Sequence, residues 1–169
     1  MNVRAFVLLL LRLEGESEME NKCFVCRKHA GLLELSGGTI YEDDYVYVGH
    51  IDRGGKPVYP RHVMIDLKRH VPSLADMTAE EASAFGIITV RVSKALCEYE
   101  HAEHIYAQES GNSVPHTHMH LIPCYPDTPE DYWGQMEVYE WEDAPFATER
   151  ESVLLCERVH AQLERVLIT

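Results

Sequence analysis

A chain of 169 residues with 46% hydrophobic and 25% charged residues has the composition of one globular domain with a real core. Its net charge of −13 argues against broad nucleic-acid binding, which needs a basic surface, but still allows a pocket for a small phosphate compound. Because the five cysteines are an odd number, they argue against a disulfide framework and favour a reducing, cytoplasmic location.

The N-terminal residues contain a short apolar run, AFVLLLL. It is too short to span a bilayer, so no membrane partner is expected. No small-x-small cleavage site accompanies it, which argues against a signal peptide. Met19 stands just ahead of the first motif. We therefore expect residues 1–18 to be an over-extended start that is disordered or loosely docked.

Strand signals dominate the first half of the chain. An acidic turn followed by alternating β-formers predicts a strand at 45–49, and HVMIDL at 62–67 predicts its antiparallel partner after the turn sequence DRGGKP. Thr78 and Glu81 then have the spacing of a capping box, which predicts the start of a helix. The apolar stripe of that long helix is Phe85, Ile88, Val92, Leu96 and Tyr99.

The second half adds two strands and a closing helix. Strands are predicted over 104–110 and 113–123, separated by a short polar loop. The apolar residues that predict the closing helix are Cys156, Val159, Leu163 and Val166. Strands and one long helix in this order predict an α+β domain with an antiparallel sheet.

Three histidines, His116, His118 and His120, occupy every second position of the last predicted strand. Side chains two residues apart share one face of a strand, so the three imidazoles are expected to point the same way. Since imidazoles titrate near neutrality, such a face can supply a nucleophile, a proton donor or a metal site. The residue types alone leave these three uses open.

Four segments in this order resemble the histidine triad (HIT) superfamily of nucleotide hydrolases and transferases. They are CFVC at 23–26, YEDDYVYV at 41–48, RHVMIDLKRHV at 61–71 and SVPHTHMHLIP at 113–123. The resemblance implies a HIT-like antiparallel sheet with one long helix and a C-terminal helix. It implies a HIT domain over 19–125, with a C-terminal extension over 126–169 packed on it. It also implies a homodimer that uses the long helix and the 104–110 strand.

The resemblance assigns the chemistry residue by residue. His118 is implied to attack the α-phosphate of a nucleotide, after which water releases a nucleoside monophosphate from the nucleotidyl-histidine. His120 and His62 are implied to contact the phosphate, and as protonated imidazoles they would stabilise developing charge. The other implied nucleotide-binding residues are Gln108 near the phosphate, Asn112 and Ser113 near the leaving-group oxygen, and Asp52 at the ribose hydroxyls. No magnesium is implied, and the sequence contains no Walker loop.

The Cys-x-x-Cys of Cys23 and Cys26 resembles that of zinc-bearing HIT proteins, which implies that His70 and His116 complete a closed structural zinc site. The alternative for these cysteines is that they are buried small residues in a member that lost zinc. For the whole protein, two alternatives also stay open. One is a nucleotide-binding HIT protein with little turnover, and the other is a metal protein whose three triad histidines hold zinc.

Two further features are interpreted as structural. Asp66 lies close in sequence to Lys68 and Arg69, which favours a salt-bridged surface residue. The tail contains several aromatic residues, which are interpreted mainly as side chains that pin the tail to the core, with stacking on a base as the alternative. These residues are Tyr132, Trp133, Tyr139 and Trp141.

Overall fold

The computed structural model describes residues 22–33, 37–54, 56–109, 111, 114–134 and 136–165. In chain order the main elements are α1 (Phe24–His29), β1 (Thr39–Glu42), β2 (Val46–His50), β3 (Val63–Leu67), α2 (Ala79–Glu100), β4 (His104–Glu109), β5 (His118–Cys124) and α3 (Glu149–Leu163). Short 3-10 turns occupy Leu74–Asp76, Glu130–Tyr132 and Glu137–Tyr139. The expected extension over residues 1–18 lies outside the described residues.

The strands among the described residues form one sheet in the order β1-β2-β3-β5-β4, and every neighbouring pair is antiparallel. β2 and β3 pair directly, which confirms the predicted hairpin. The sequence did not predict β1. The side chain of Asp43 accepts the backbone N–H groups of Tyr45 and Val46, and this turn brings β1 back against β2. The α+β class is confirmed.

Helix α2 begins as predicted. The Thr78 side chain accepts the Glu81 backbone N–H, and the Glu81 carboxylate accepts the Thr78 backbone N–H. The stripe residues Phe85, Ile88, Val92 and Leu96 are buried in the main core, as expected. Tyr99 differs, because it is 37% exposed and the buried position at this end of the helix belongs to Glu100.

The two faces of the sheet carry different partners. The inward residues of β2, β3 and β5, such as Val48, Ile65 and Leu121, pack with α2 and α3 in the main core. The alternate positions of β3 and β5, which include Asp66 and His120, lie on the opposite face. This opposite face receives α1 and the segment after β5, so the sheet separates the core from the histidines.

The last strand is shorter than predicted. It begins at His118 rather than at residue 113. Thr117 lies before the strand, where its backbone N–H and side-chain hydroxyl both donate to the Val71 carbonyl. The two-residue alternation therefore applies to His118 and His120 only. His116 lies in the turn that precedes the strand.

The C-terminal part of the described chain packs on both faces of the sheet. Cys156, Val159 and Leu163 of α3 are buried against the core, which confirms the closing helix, while Val166 lies outside the described residues. The segment between β5 and α3 buries Val138 in a smaller cluster on the histidine face. The division of the chain at residues 19–125 and 126–169 stays a prediction. None of the helices in the described ranges combines the length and hydrophobicity that crossing a bilayer requires.

Glu100 is a buried carboxylate that joins α2 to two other parts of the fold. It accepts hydrogen bonds from Arg61, just before β3, and from Arg158 of α3. Burial by itself would raise the pKa of Glu100, but the hydrogen bonds from Arg158 and Arg61 outweigh burial and lower it to about 2. The carboxylate is therefore ionised wherever the protein is folded near neutral pH.

We expect Glu100→Gln to lower the free energy of unfolding by about 2 kcal/mol near neutral pH, because both half-exposed guanidiniums lose a buried charged partner. Since the folded-state pKa lies below the ordinary value of 4.5, the stabilisation is complete above that value and is lost as pH falls towards 2. Urea unfolding at neutral and acidic pH measures it, with the exposed Glu98→Gln as the control. Equal unfolding free energies for wild type and E100Q at neutral pH would contradict this prediction.

Candidate active site and metal centre

His118 is held by the backbone of its own chain. It starts β5 and is 5% exposed, and its Nδ1 lies 2.6 Å from the carbonyl oxygen of His116. A carbonyl oxygen only accepts, so Nδ1 carries a proton and donates it. In the neutral imidazole this leaves the lone pair on Nε2. A histidine anchored in this way can act as a nucleophile.

His120 and His62 form a hydrogen-bonded pair beside His118. The ring centroids of His118 and His120 lie 5.2 Å apart, and His120 Nδ1 lies 3.0 Å from His62 Nε2. Burial and the neighbouring His118 lower the pKa of His120 to about 4, and burial and His120 lower the pKa of His62 well below its usual range. These directions favour neutral imidazoles in the ligand-free protein. The predicted protonated imidazoles belong to the reacting complex, where they would stabilise developing charge, and that role stays a prediction.

A cavity of about 310 Å³ opens beside these histidines, within the size range of small-molecule sites. His118 and His120 line it together with Asp52 and Arg53. Its apolar walls are Phe24, Val25, Ile51, Met64 and Val114. The structure thus brings Asp52 to the same cavity as the triad, although its contact with ribose stays a prediction. Apolar walls with a few charged groups suit a flat base joined to phosphates.

The other predicted nucleotide-binding residues do not line this cavity or lie outside the described residues. Gln108 of β4 is the cross-strand partner of His120, so both occupy the same face of the sheet. It does not contribute to the cavity wall. Asn112 and Ser113 lie outside the described residues. A second cavity, of about 340 Å³, is lined by residues of α3 and by none of the predicted site residues.

The sequence did not predict that Arg53 belongs to this site or that Tyr139, one of the tail aromatics, bonds a site histidine. The Arg53 guanidinium lies 4.0 Å from the centroid of the Tyr139 ring, and the Tyr139 hydroxyl lies 2.7 Å from His62 Nδ1. Arg53 could have been found, because it directly follows Asp52 in the turn sequence DRGGKP. No local pattern indicates the contact of Tyr139 with a histidine 77 positions away.

The predicted metal ligands converge in space. One ligand atom from each of Cys23, Cys26, His70 and His116 lies within 4.8 Å of the other three. Three of the sulfur–nitrogen distances are 3.4 Å. A tetrahedral zinc with Zn–S bonds of about 2.3 Å and Zn–N bonds of about 2.0 Å places sulfur and nitrogen ligands about 3.5 Å apart. The donor set and its spacing therefore fit zinc.

The tautomer of His116 also suits a metal ligand. Its Nε2 lies 2.6 Å from the Leu67 carbonyl oxygen and donates to it, which leaves the lone pair on Nδ1, the atom that faces the two sulfurs. Burial lowers the pKa of His116 to about 4. The ring is therefore neutral near neutral pH, as ligation requires.

Asp66 is fully buried, so its interpretation as a surface residue is wrong. It bonds Lys28 and His29 of α1 rather than Lys68 or Arg69. Burial would raise the pKa of Asp66, but the His29 hydrogen bond and the Lys28 ammonium outweigh burial and lower it. The cause of the error is tertiary, because α1 folds back over β3. This ion pair ties the Cys-x-x-Cys segment to the sheet beside the triad.

The sequence profile of the HIT domain family matches residues 33–127, more than half of the chain. The chain belongs to the HIT family. A bis(5'-adenosyl)-triphosphatase from Dictyostelium discoideum is 34% identical over 73 residues, which are 40% of this chain and 49% of that protein. A bis(5'-nucleosyl)-tetraphosphatase from Schizosaccharomyces pombe is 33% identical over 73 residues, which are 40% of each chain. This HIT chain thus spans less than half of either relative.

Solved structures of HIT proteins share the fold of this HIT chain. A histidine triad nucleotide-binding protein from Sulfolobus tokodaii superposes with a TM-score of 0.66 at 17% identity, covering 85% of this chain and 93% of that one. A zinc-bound histidine triad family protein from Mycobacterium smegmatis has a TM-score of 0.62 at 18% identity, with 86% and 96% covered. These likenesses confirm the predicted HIT-like fold.

Proposed function

We propose that this HIT protein is a nucleotide hydrolase or transferase that cleaves a P–O–P or P–N bond at the α-phosphate and releases a nucleoside monophosphate. One observation carries the proposal: His118 is anchored through Nδ1 by a carbonyl oxygen at 2.6 Å and lines a cavity of nucleotide-compatible size. The names of the dinucleoside polyphosphate hydrolases among its relatives support the choice of substrate class.

In the proposed reaction, His118 Nε2 attacks the α-phosphorus. The N–P bond forms while the bond from phosphorus to the bridging oxygen or nitrogen breaks, and the leaving group takes that electron pair and a proton from solvent. Water then attacks the nucleotidyl-histidine, the N–P bond breaks with its electron pair returning to Nε2, and the water gives up a proton. The N–H group of His120 holds and polarises the phosphate, and the fully buried His62 supports His120 through the hydrogen bond between them. The Arg53 cation attracts the phosphate.

The remaining predicted roles belong to the same proposal. Asp52 binds the ribose hydroxyls and Gln108 supports the phosphate side of the site. Ser113, with its polar neighbour Asn112, keeps the role at the leaving-group oxygen that the resemblance implies. No magnesium enters this scheme, because the nucleophile is a side chain and the charge is met by N–H donors and a guanidinium. The base and the physiological leaving group are left open.

We also propose that Cys23, Cys26, His70 and His116 hold one structural zinc ion. The 3.4 Å sulfur–nitrogen spacing and the Nδ1 lone pair of His116 support it, as does the zinc-bound relative from Mycobacterium smegmatis. Four protein ligands fill the tetrahedron, so the ion would act only by joining α1 to the turn that precedes His118. The chemical step needs no metal.

Isotope labelling tests the site of attack. We expect hydrolysis of diadenosine triphosphate in ¹⁸O-enriched water, without added magnesium, to place the label in AMP and leave ADP unlabelled, because water enters at the α-phosphorus. Adenosine phosphoramidate should likewise give labelled AMP. Mass spectrometry of the products measures both. Label in ADP would contradict attack at the α-phosphorus, and nucleotide binding without turnover would favour the alternative of a binding protein.

A homodimer formed through α2 and β4 is the proposed assembly. β4 is an edge strand of the described sheet, and Ile87 and Val90 on α2 are 49% and 44% exposed. An open strand edge and exposed apolar side chains on a helix both suit a twofold interface. Light scattering during size-exclusion chromatography measures the mass in solution. A cytoplasmic location also stays a prediction.

A further inference from the structure

Tyr139 extends the histidine pair at the end remote from the cavity. It closes the 3-10 turn Glu137–Tyr139, which lies beyond the residues matched by the family profile. Its hydroxyl lies 2.7 Å from His62 Nδ1 and 3.2 Å from the backbone nitrogen of Tyr59. His62 Nε2 in turn lies 3.0 Å from His120 Nδ1. Tyr139, His62 and His120 therefore form one continuous hydrogen-bonded chain that ends at the cavity.

The direction of this chain follows from its fixed donor. The Tyr59 backbone N–H can only donate, so it occupies an acceptor position of the Tyr139 hydroxyl. Burial raises the pKa of Tyr139, so the hydroxyl keeps its own proton near neutral pH. The acceptor within reach of that proton is His62 Nδ1. Neutral His62 then carries its proton on Nε2 and donates to His120 Nδ1.

The reverse direction leaves the proton of the partly buried Tyr139 hydroxyl without an acceptor among the described residues. If His120 donated to His62, then His62 Nδ1 would donate to the Tyr139 oxygen, which already accepts from the Tyr59 backbone. None of the described residues would then accept the Tyr139 proton. A hydroxyl that is shielded from solvent and has no acceptor is unfavourable. The forward direction avoids this cost and is the one that the structure favours.

We propose that Tyr139 is a positioning residue that fixes the tautomers of His62 and His120, so that His120 keeps its proton on Nε2 and offers it to the phosphate. This inference rests on the proposed function, because the phosphate is the ligand assigned to that cavity. His120 lines the cavity, and Nε2 is the ring nitrogen that remains after Nδ1 has bonded His62. The segment after β5 thereby orients the two histidines through a single hydroxyl group.

The Tyr139 ring has a separate contact that a conservative variant preserves. The Arg53 guanidinium lies over it, 4.0 Å from the centroid. Tyr139→Phe keeps this ring and removes only the hydroxyl. Tyr59→Phe is the matched control, since it also removes a buried hydroxyl from the same aromatic cluster, one that bonds Thr128 and not a histidine.

We expect Tyr139→Phe to lower kcat for diadenosine triphosphate about tenfold with little change in KM. The reason is that the proton of His120 is no longer held on Nε2, where it can be donated to the phosphate. Tyr59→Phe should retain kcat within about twofold of the wild type. The matching spectroscopic readout is the tautomer of His62 and His120 in long-range ¹H–¹⁵N spectra. Both rings should carry the proton on Nε2 in the wild type, and at least one should become mixed in Tyr139→Phe.

The wild-type tautomer measurement needs neither turnover nor a variant, so it separates this inference from the proposed function. A wild-type spectrum with the proton on Nδ1 of either ring overturns the role of Tyr139, even if the protein hydrolyses nucleotides. Unchanged tautomers in a folded Tyr139→Phe overturn it as well. A wild type that lacks turnover but has both protons on Nε2 rejects the proposed function and supports the orientation by Tyr139.

Discussion

Replacing His118 by alanine is expected to reduce nucleotide hydrolysis by roughly a thousandfold or more, because the attacking atom itself is removed. Wild-type protein mixed with radiolabelled diadenosine triphosphate and quenched rapidly should carry an acid-labile adenylate. His118→Ala should carry none. Product formation and protein-bound label, measured on the same samples, decide the point.

The control for this experiment is His104→Ala, which removes an exposed imidazole from the edge strand of the same sheet. It should retain both turnover and labelling. Because the imidazole of His118 is 5% exposed, thermal unfolding of both variants must show that loss of activity is not loss of folding. Normal turnover in a folded His118→Ala would rule out the proposed nucleophile.

Loss of one zinc ligand is expected to have the largest effect on stability. Purified wild-type protein should contain about one zinc per chain, and Cys23→Ser should lose it. Since the ion joins segments more than 90 residues apart, its loss should lower the free energy of unfolding by about 4 kcal/mol and the Tm by about 10 °C. Elemental analysis and calorimetry measure the two effects.

A matched cysteine separates the metal site from general thiol chemistry. Cys97 is exposed on α2 and belongs to no ligand cluster of the described chain, so Cys97→Ser should keep both zinc and Tm. The clustered ligand atoms among the described residues do not include those of His118 or His120, which weighs against the triad as the metal cage. Zinc retained in Cys23→Ser but lost in His118→Ala would reverse that conclusion.

Short-range patterns predicted most of the fold. The capping box of Thr78 and Glu81 and the apolar stripe that follows are interactions within a few residues, so they can be read from the chain alone. The hairpin of β2 and β3 follows from alternation around a turn. β1 was missed because its four residues acquire their partner only through the Asp43 turn.

The sequence predicted those parts of the candidate site that depend on residues close together in the chain. The alternation of His118 and His120 is a property of the strand, and the structure places both on one cavity. The start of β5 could not be predicted, because Thr117 donates a hydrogen bond to the carbonyl of Val71, a residue 46 positions earlier, and lies before the strand. Asp66 was misplaced for the same reason, since its partner Lys28 comes from a distant helix rather than from its sequence neighbours.

The sequence by itself determined the order of the elements, the shared face of His118 and His120 and, through resemblance, the family and the four metal-ligand candidates. Tertiary structure alone decided that His116 faces the cysteines, that burial lowers the pKa values of His62 and His120, and that the Tyr139 hydroxyl contacts His62. The reason is physical: periodicity and capping act over a few residues, whereas burial, pKa and tautomer depend on which distant side chains packing brings together.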